Sequence, residues 1–137
     1  MKVYETMYEP SESELDPQGF FHSTHFHGVF GRARYEFLNE LGIPQTWFEE
    51  HGLTLVAKHQ SCDFSAPIRR GDRAKIVISV QKLGESSITF LCGAYRMSDG
   101  ALSATGPTVT VVVSRTSPDR KASIPSEARE ILSRAMA

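Results

Sequence analysis

The stretch STHFHGVFGRARYEFLNELG, Ser23 to Gly42, decides the fold. From about Ser23 its apolar residues recur at steps of three and four, which places them on one face of a helix. Ser23 or Thr24 can cap the start of this helix, and Gly42 before an Ile-Pro pair predicts its end. Because apolar residues cover much of its circumference, we expect the helix to be buried inside a curled sheet. The apolar face consists of Phe26, Val29, Phe30, Ala33, Phe37 and Leu41.

The segments on both sides of this helix predict β-strands. Val3–Tyr8 can form a strand before it, and PQTWFEEHG, residues 44–52, predicts a short helix or a turn after it. IPSEAREILSRAMA at the end predicts a modest helix. The predicted class is α+β: a single domain over residues 1–137, with a long central helix wrapped by an antiparallel sheet of about five strands. Consecutive antiparallel strands are expected at Leu53–Phe64, Ala74–Leu83, Ser87–Met97 and Leu102–Ser114.

The composition excludes several classes of partner. The chain has 137 residues, is 40% hydrophobic and carries a formal net charge of −1. A chain without a basic stripe is not expected to bind nucleic acid. Its apolar runs are too short to span a membrane, and MKVYETMYEP lacks the apolar core of a signal peptide. We therefore expect a cytoplasmic protein without a membrane partner, in which Cys62 and Cys92 are free thiols.

The residues before the helix suggest a family. DPQGFFHS, Asp16 to Ser23, precedes Phe26 and then ARYEFL from Ala33. An acid, a glycine, an apolar pair, a polar helix start and a later Ala-Arg-x-Glu resemble the 4-hydroxybenzoyl-CoA thioesterase-like branch of the hotdog-fold acyl-CoA thioesterases. DFSAPIRRGD, VQKLGESSITF and ATGPTVTVVVSR are similar to a turn, a hairpin and the last strand of that family. The resemblance covers roughly Met7 to Ile131.

This resemblance implies hydrolysis of an acyl-CoA thioester, possibly an aromatic one, with no metal or redox cofactor. It makes Asp16 the catalytic carboxylate, which attacks the thioester carbonyl or deprotonates the attacking water. It places the carbonyl near the backbone N–H of Ser23, where the helix start stabilises an oxyanion. It also implies a homodimer with one continuous sheet and an active site at the subunit interface, and often a homotetramer.

Further site residues follow from the same motifs. His22 could polarise the carbonyl or orient Asp16, although several relatives carry their histidine at the position of Ser23. Basic residues could meet the phosphates of coenzyme A, and serines could bond to its pantetheine arm. Arg34 fits substrate binding and also a buried or interfacial ion pair. The predicted substrate-binding residues are Gly19, Phe26, Arg34, Arg69, Arg70, Lys82, Ser86 and Ser87, with Phe20, Phe21, Phe26, Phe30 and Trp47 as candidates for an acyl pocket or the core.

Other interpretations remain open at this point. His22, His25 and His27 have a spacing that could hold a metal, as in a metal-binding sensor. No nearby cysteine completes a ligand set, although Asp16 or Glu14 might, and no functional metal is predicted. A hydratase or dehydratase acting on a thioester is a second possibility, and a non-catalytic module that binds acyl thioesters is a third. The sequence does not determine the acyl group, nor whether the partner is a free coenzyme A thioester or an acyl carrier protein.

Overall fold

The order of elements follows the sequence pattern. The computed structural model describes residues 1–137 and contains six strands and three α-helices. The expectation of two terminal elements, a first strand and a last helix, is confirmed. The elements are β1 (Val3–Tyr8), α1 (Phe26–Glu40), α2 (Gln45–Glu50), β2 (Leu53–Gln60), β3 (Asp63–Phe64), β4 (Ala74–Leu83), β5 (Ser87–Arg96), β6 (Leu102–Ser114) and α3 (Ser126–Met136).

All six strands form one antiparallel sheet in the order β1-β4-β5-β6-β2, with β3 also paired to β6. The strand predicted over Leu53–Phe64 is wrong in two respects. It is interrupted after Gln60, and its two parts pair with β6 rather than with the next strand in the chain. At the interruption the chain crosses β6 in very close contact, because a Cβ at Gly106 would lie 1.9 Å from the carbonyl oxygen of Ser61.

The helix α1 packs its apolar face against the inner face of the curled sheet. Phe37 is fully buried and stacks on Tyr4 of β1 at a centroid distance of 6.1 Å. The inward-facing Ile76 and Ile78 of β4 are equally buried, as their alternation along the strand predicts. Truncating a phenylalanine buried in this way typically costs about 3–5 kcal/mol. A long helix wrapped by an antiparallel sheet is the hotdog fold, so the predicted fold class is confirmed.

The sequence predicted the end of α1 correctly but not the residue that caps its start. Gly42 ends the helix as expected, with φ +86° and with the N–H of Ile43 donating to the carbonyl of Leu38 at 3.0 Å. At the start, neither Ser23 nor Thr24 is the cap. His22 caps a short 3₁₀ turn, Ser23–His25, that leads directly into α1.

Two predictions about the chain as a whole can be compared with the structure. No helix is long and apolar enough to cross a membrane. Cys62 and Cys92 are both free thiols, as predicted. Burial raises the pKa of the Cys92 thiol, which makes it a poor nucleophile at neutral pH.

Candidate active site

One cavity of about 260 Å³ opens where the chain enters α1. Three parts of the chain form it: the loop before α1, the segment 64–68, and the start of β6. It brings Asp16, His22, Ser23 and Phe26 together, four of the residues predicted from the sequence. The lining residues are Asp16, Phe20, Phe21, His22, Ser23, Phe26, Phe64, Ser65, Ala66, Pro67, Ile68 and Ser103.

The carboxylate of Asp16 is held by its own loop. Its Oδ1 accepts the backbone N–H groups of Gln18 at 2.9 Å and Phe20 at 3.0 Å. The loop closes through the N–H of Asp16, which donates to the carbonyl of Phe20 at 2.7 Å, and through Gly19, which turns with φ +85°. Oδ2 has no hydrogen-bond partner in the chain. The half-buried carboxylate therefore has one oxygen anchored and one oxygen free for chemistry.

The loop is fixed in turn by the segment that follows β3. The N–H of Phe21 donates to the carbonyl of Ile68 at 2.8 Å, and the N–H of Arg70 donates to the carbonyl of Gly19 at 2.9 Å. These backbone bonds tie both sides of the cavity together. Gly19 does not line the cavity, so its contribution is the shape of the loop rather than contact with a ligand.

The 3₁₀ turn that leads into α1 offers a free backbone donor. The N–H of Thr24 donates to Nδ1 of His22, but the N–H of Ser23 donates to none of the acceptors in the loop and the cap. First-turn N–H groups have no partner inside a helix, and the macrodipole gives this end a partial positive charge. The N–H of Ser23 beside the cavity is therefore suited to bind an oxyanion.

His22 is exposed at the mouth of the cavity. Its Nδ1 accepts the N–H of Thr24 at 3.2 Å and lies 2.8 Å from the hydroxyl of the same residue. A ring nitrogen that accepts an N–H carries no proton, so the neutral imidazole holds its proton on Nε2. His22 can therefore donate a hydrogen bond through Nε2 to a ligand at the mouth.

The three histidines do not form a metal site. The rings of His22 and His25 are 6.2 Å apart between centroids. His27 lies on α1, where its Nδ1 is buried without a hydrogen-bond partner. No group of three or more His, Cys, Asp or Glu side chains is close enough to hold a metal ion. The alternative of a metal sensor therefore lacks a ligand set.

The walls of the cavity are aromatic. Phe26 packs edge-on against Phe21 at 4.8 Å between ring centroids, and its ring lies tilted against that of Phe64 at 5.6 Å. Phe64 is 52% exposed and stands at the mouth. Of the other acyl-pocket candidates, Phe20 also lines the cavity, whereas Phe30 and Trp47 do not. Phe30 is part of the core, and Trp47 stacks on a neighbouring histidine.

Two arginines lie beside the mouth. Arg69 and Arg70 follow Ile68 directly and are exposed. Arg69 lies 5.7 Å above the ring of Phe20 and has no carboxylate partner in the chain. Arg70 forms an ion pair with Glu12 at 2.6 Å. Of the two, Arg69 is the one whose charge is free to meet an anionic group of a ligand.

The turn of the β4–β5 hairpin lies far from this cavity. Arg96, which pairs with Ala74 at the start of β4, donates to the carbonyl of Pro67 in the cavity wall at 2.8 Å. Lys82, Ser86 and Ser87 lie at the other end of β4, about 25 Å away at ~3.3 Å per residue. A single chain therefore does not bring these three residues to Asp16, and their contact with substrate stays a prediction that requires a second chain.

Arg34 is also separate from the cavity. It is buried beneath the sheet, about 12 Å along α1 from Phe26 at ~1.5 Å per residue, and its Nη1 lies 3.4 Å from the hydroxyl of Thr108. The buried ion pair within the chain is not formed, because Glu36 lies on another face of the helix and accepts a hydrogen bond from Tyr4 at 3.2 Å. Binding of substrate by Arg34 stays a prediction.

Sequence reasoning did not assign a role to several lining residues. Phe64 to Ile68 fall in DFSAPIRRGD, whose similarity to a family turn was the available signal. Ser103 carries no signal in the sequence, because it lies within an ordinary strand pattern. Both were missed because contact with α1 depends on the tertiary fold.

The chain belongs to the thioesterase-like superfamily, whose family model matches residues 11–132. A curated relative from Aquifex aeolicus (strain VF5), named "Putative esterase", is 29% identical over 77 residues, which are 56% of this chain. The chain spans about 60% of the length of that relative.

Solved structures share the fold at low sequence identity. A DHNA-CoA thioesterase from Staphylococcus aureus is 17% identical with a TM-score of 0.89, over 99% of this chain and 92% of its own. A second Staphylococcus aureus protein, SAV2348 in complex with CoA, is 12% identical with a TM-score of 0.89, over 98% of this chain and 84% of its own. At these identities the likeness shows the hotdog fold.

Proposed function

We propose that this protein is an acyl-CoA thioesterase that uses Asp16 and the start of α1. The observation that carries the proposal is the pairing, in one cavity, of a carboxylate with a free oxygen and a backbone N–H with no partner. Membership of the thioesterase-like superfamily supports the reaction class. The DHNA-CoA thioesterase and the CoA complex among the structural neighbours support coenzyme A as the thiol.

The proposed reaction adds water across the thioester bond. The thioester carbonyl docks at the N–H of Ser23, which stabilises the negative charge that develops on oxygen together with the helix dipole. Asp16 supplies the attack, either as the base that takes a proton from water or as the nucleophile itself. On the base route the C–S bond then breaks and gives a carboxylic acid and a thiol. On the nucleophile route its cleavage releases the thiol and leaves an anhydride between the acyl group and Asp16, which water hydrolyses to the carboxylic acid and free Asp16. His22 donates through Nε2 to the carbonyl or the leaving sulfur, and no metal or redox cofactor takes part.

The size of the cavity defines what can enter it. At about 260 Å³ it lies below the ~300–1,000 Å³ that is usual for whole drug-sized ligands. It therefore takes the acyl group, and the coenzyme A part lies across the surface outside the mouth. Arg69 is placed to meet an anionic group there. The aromatic walls of Phe21, Phe26 and Phe64 favour a flat or apolar acyl group.

The proposed assembly is a homodimer, and two such dimers form a homotetramer. β2 is an edge strand, since it pairs only with β6, so its other side presents unpaired backbone groups. Pairing β2 with a second copy extends the sheet across both chains. In such a dimer, the distant Lys82, Ser86 and Ser87 of one chain can serve the cavity of the other. The mass of the protein in solution by light scattering tests this assembly.

A thiol-release assay with a panel of acyl-CoA thioesters tests the function. The panel contains aromatic, short aliphatic and branched acyl groups, and an acyl carrier protein thioester of the best acyl group is run beside it. The expected result is hydrolysis of coenzyme A thioesters with a preference for aromatic ones. Hydration of an enoyl-CoA without thiol release would instead indicate a hydratase. Tight binding of the same thioesters without turnover would indicate a non-catalytic binding module.

A further inference from the structure

Ser103 is a buried polar residue in the wall of the cavity that has nothing to bond to. The residue is 2% exposed, and its buried Oγ has no hydrogen-bond partner. Buried hydroxyl groups nearly always have a partner, and an unsatisfied one destabilises the folded state. The other polar residues that line the cavity are more accessible: Asp16 is half-buried, and His22, Ser23 and Ser65 are exposed. Ser103 is therefore the most buried of the polar residues that line the cavity.

An irregularity in β6 places Ser103 there. Ala104 pairs with Ala94 and Leu102 pairs with Tyr95, which leaves Ser103 as the extra residue of a β-bulge. A bulge redirects a side chain that regular alternation would point to the opposite face. The backbone carbonyl of Ser103 is hydrogen-bonded, since it accepts the N–H of Ser65 at 2.8 Å. The hydroxyl has no partner, and it can rotate between staggered χ1 positions.

We propose that Ser103 is a specificity-determining residue whose hydroxyl bonds to an oxygen on the acyl group of the substrate. The inference rests on the proposed thioesterase function, because it assigns the acyl group to this cavity. A serine hydroxyl both donates and accepts, so the matching group is a hydroxyl or a carbonyl at the end of the acyl group away from the thioester. The substrate class is thus an oxygen-bearing acyl group, with flat apolar sides that face Phe21, Phe26 and Phe64.

The test compares acyl groups that differ by one oxygen. Benzoyl-CoA and its 2-, 3- and 4-hydroxy derivatives are hydrolysed by the wild type, by Ser103→Ala and by Ser79→Ala. Ser79 is a buried serine of β4 that does not line the cavity, so its variant controls for the loss of a buried hydroxyl. For the wild type, kcat/KM for at least one hydroxy derivative should exceed that for benzoyl-CoA by about tenfold.

In Ser103→Ala this preference should fall to about one- to twofold, while the rate with benzoyl-CoA stays within about twofold of the wild type. Ser79→Ala should keep the wild-type preference. A preference that survives in Ser103→Ala, equal slowing of all four substrates, or the absence of any preference in the wild type would each overturn the assignment.

Binding of inert analogues separates this inference from the proposed function. S-benzyl-CoA and its hydroxybenzyl counterparts are thioethers that cannot be hydrolysed, and their dissociation constants follow from calorimetry. If no thioester is hydrolysed, the proposed function fails. Ser103 is then still supported if the wild type, but not Ser103→Ala, binds a hydroxybenzyl analogue about tenfold more tightly than S-benzyl-CoA. Equal binding of both analogues by the wild type would refute it.

Discussion

Replacing Gly19 by alanine tests whether the loop positions Asp16. Gly19 has φ +85°, a conformation that costs a residue with a Cβ about 1–2 kcal/mol. Space is not the obstacle, because the nearest atom to a Cβ at this position would be Nη1 of Arg70 at 3.7 Å. The loop either keeps its shape under strain or relaxes to negative φ. Relaxation disturbs the bonds from Gln18 and Phe20 that anchor Oδ1 of Asp16.

Gly42 offers a control with the same conformational penalty. It has φ +86°, nothing within 4 Å of an added Cβ, and a position at the far end of α1 from the cavity. Gly19→Ala and Gly42→Ala should therefore each lower the free energy of unfolding by about 1–2 kcal/mol, which corresponds to a fall in Tm of ~4 °C per kcal/mol.

The two variants should differ in activity. Because a small displacement of a reacting group can slow catalysis by ~100-fold, we expect Gly19→Ala to lower kcat/KM at least tenfold. Gly42→Ala should keep the wild-type value. Urea unfolding gives the stabilities, and thiol release from the best acyl-CoA gives the rates. If both variants lose equal stability and keep equal activity, the loop does not position a catalytic carboxylate.

Three further predictions concern the rest of the fold. The hydroxyl of Tyr8 donates to both carboxylate oxygens of Glu14. Burial raises the pKa of Glu14, but the hydrogen bonds from Tyr8 and Ser11 lower it, and the balance is a pKa below 4.5. Because this pKa is lowered in the folded protein, ionised Glu14 stabilises the fold above pH 4.5, and this stabilisation is lost as the pH falls through the lowered pKa of Glu14. Tyr8→Phe should therefore lower the free energy of unfolding near pH 7 and lower it less in acid. Urea unfolding at several pH values measures this difference. Gly106→Ala should cost about 1–3 kcal/mol or prevent folding, because its Cβ would lie 1.9 Å from a backbone oxygen; wild-type stability by urea unfolding would contradict the close crossing. Cys92, whose pKa is raised by burial, should react with a thiol reagent only at the rate of unfolding, and rapid labelling of the native protein would refute its burial.

The parts of the fold that depend on local pattern could be predicted from the sequence. The predicted bounds of β4 and β6 agree with the structure, because short turn-forming segments separate the strands in the sequence. The apolar face of α1 predicted its burial. The break after Gln60 could not be predicted, because Ser61 there approaches Gly106, which is distant in the chain. The His22 cap was also missed, since histidine is not among the preferred capping residues.

The candidate site likewise contains residues that the sequence could predict and residues that it could not. Asp16, His22 and Ser23 precede α1 directly, so a motif in one stretch of sequence could locate them together. The far wall of the cavity comes from segment 64–68 and from Ser103, which reach α1 only through sheet pairing. Lys82 and the serines of its hairpin carry the right chemistry for a ligand but lie at the wrong end of β4 for a site within one chain.

The most direct test of the central claim is the rate of thiol release by Asp16→Asn. An asparagine can still accept the N–H groups of Gln18 and Phe20 through its amide oxygen, so the loop should keep its shape while the reactive oxygen is lost. Asp63→Asn, an exposed acid beside Phe64 that does not line the cavity, is the matched control. With unchanged Tm, kcat/KM should fall by about 100-fold or more in Asp16→Asn and stay within about twofold in Asp63→Asn. A folded Asp16→Asn protein that hydrolyses the best acyl-CoA at the wild-type rate would contradict the account.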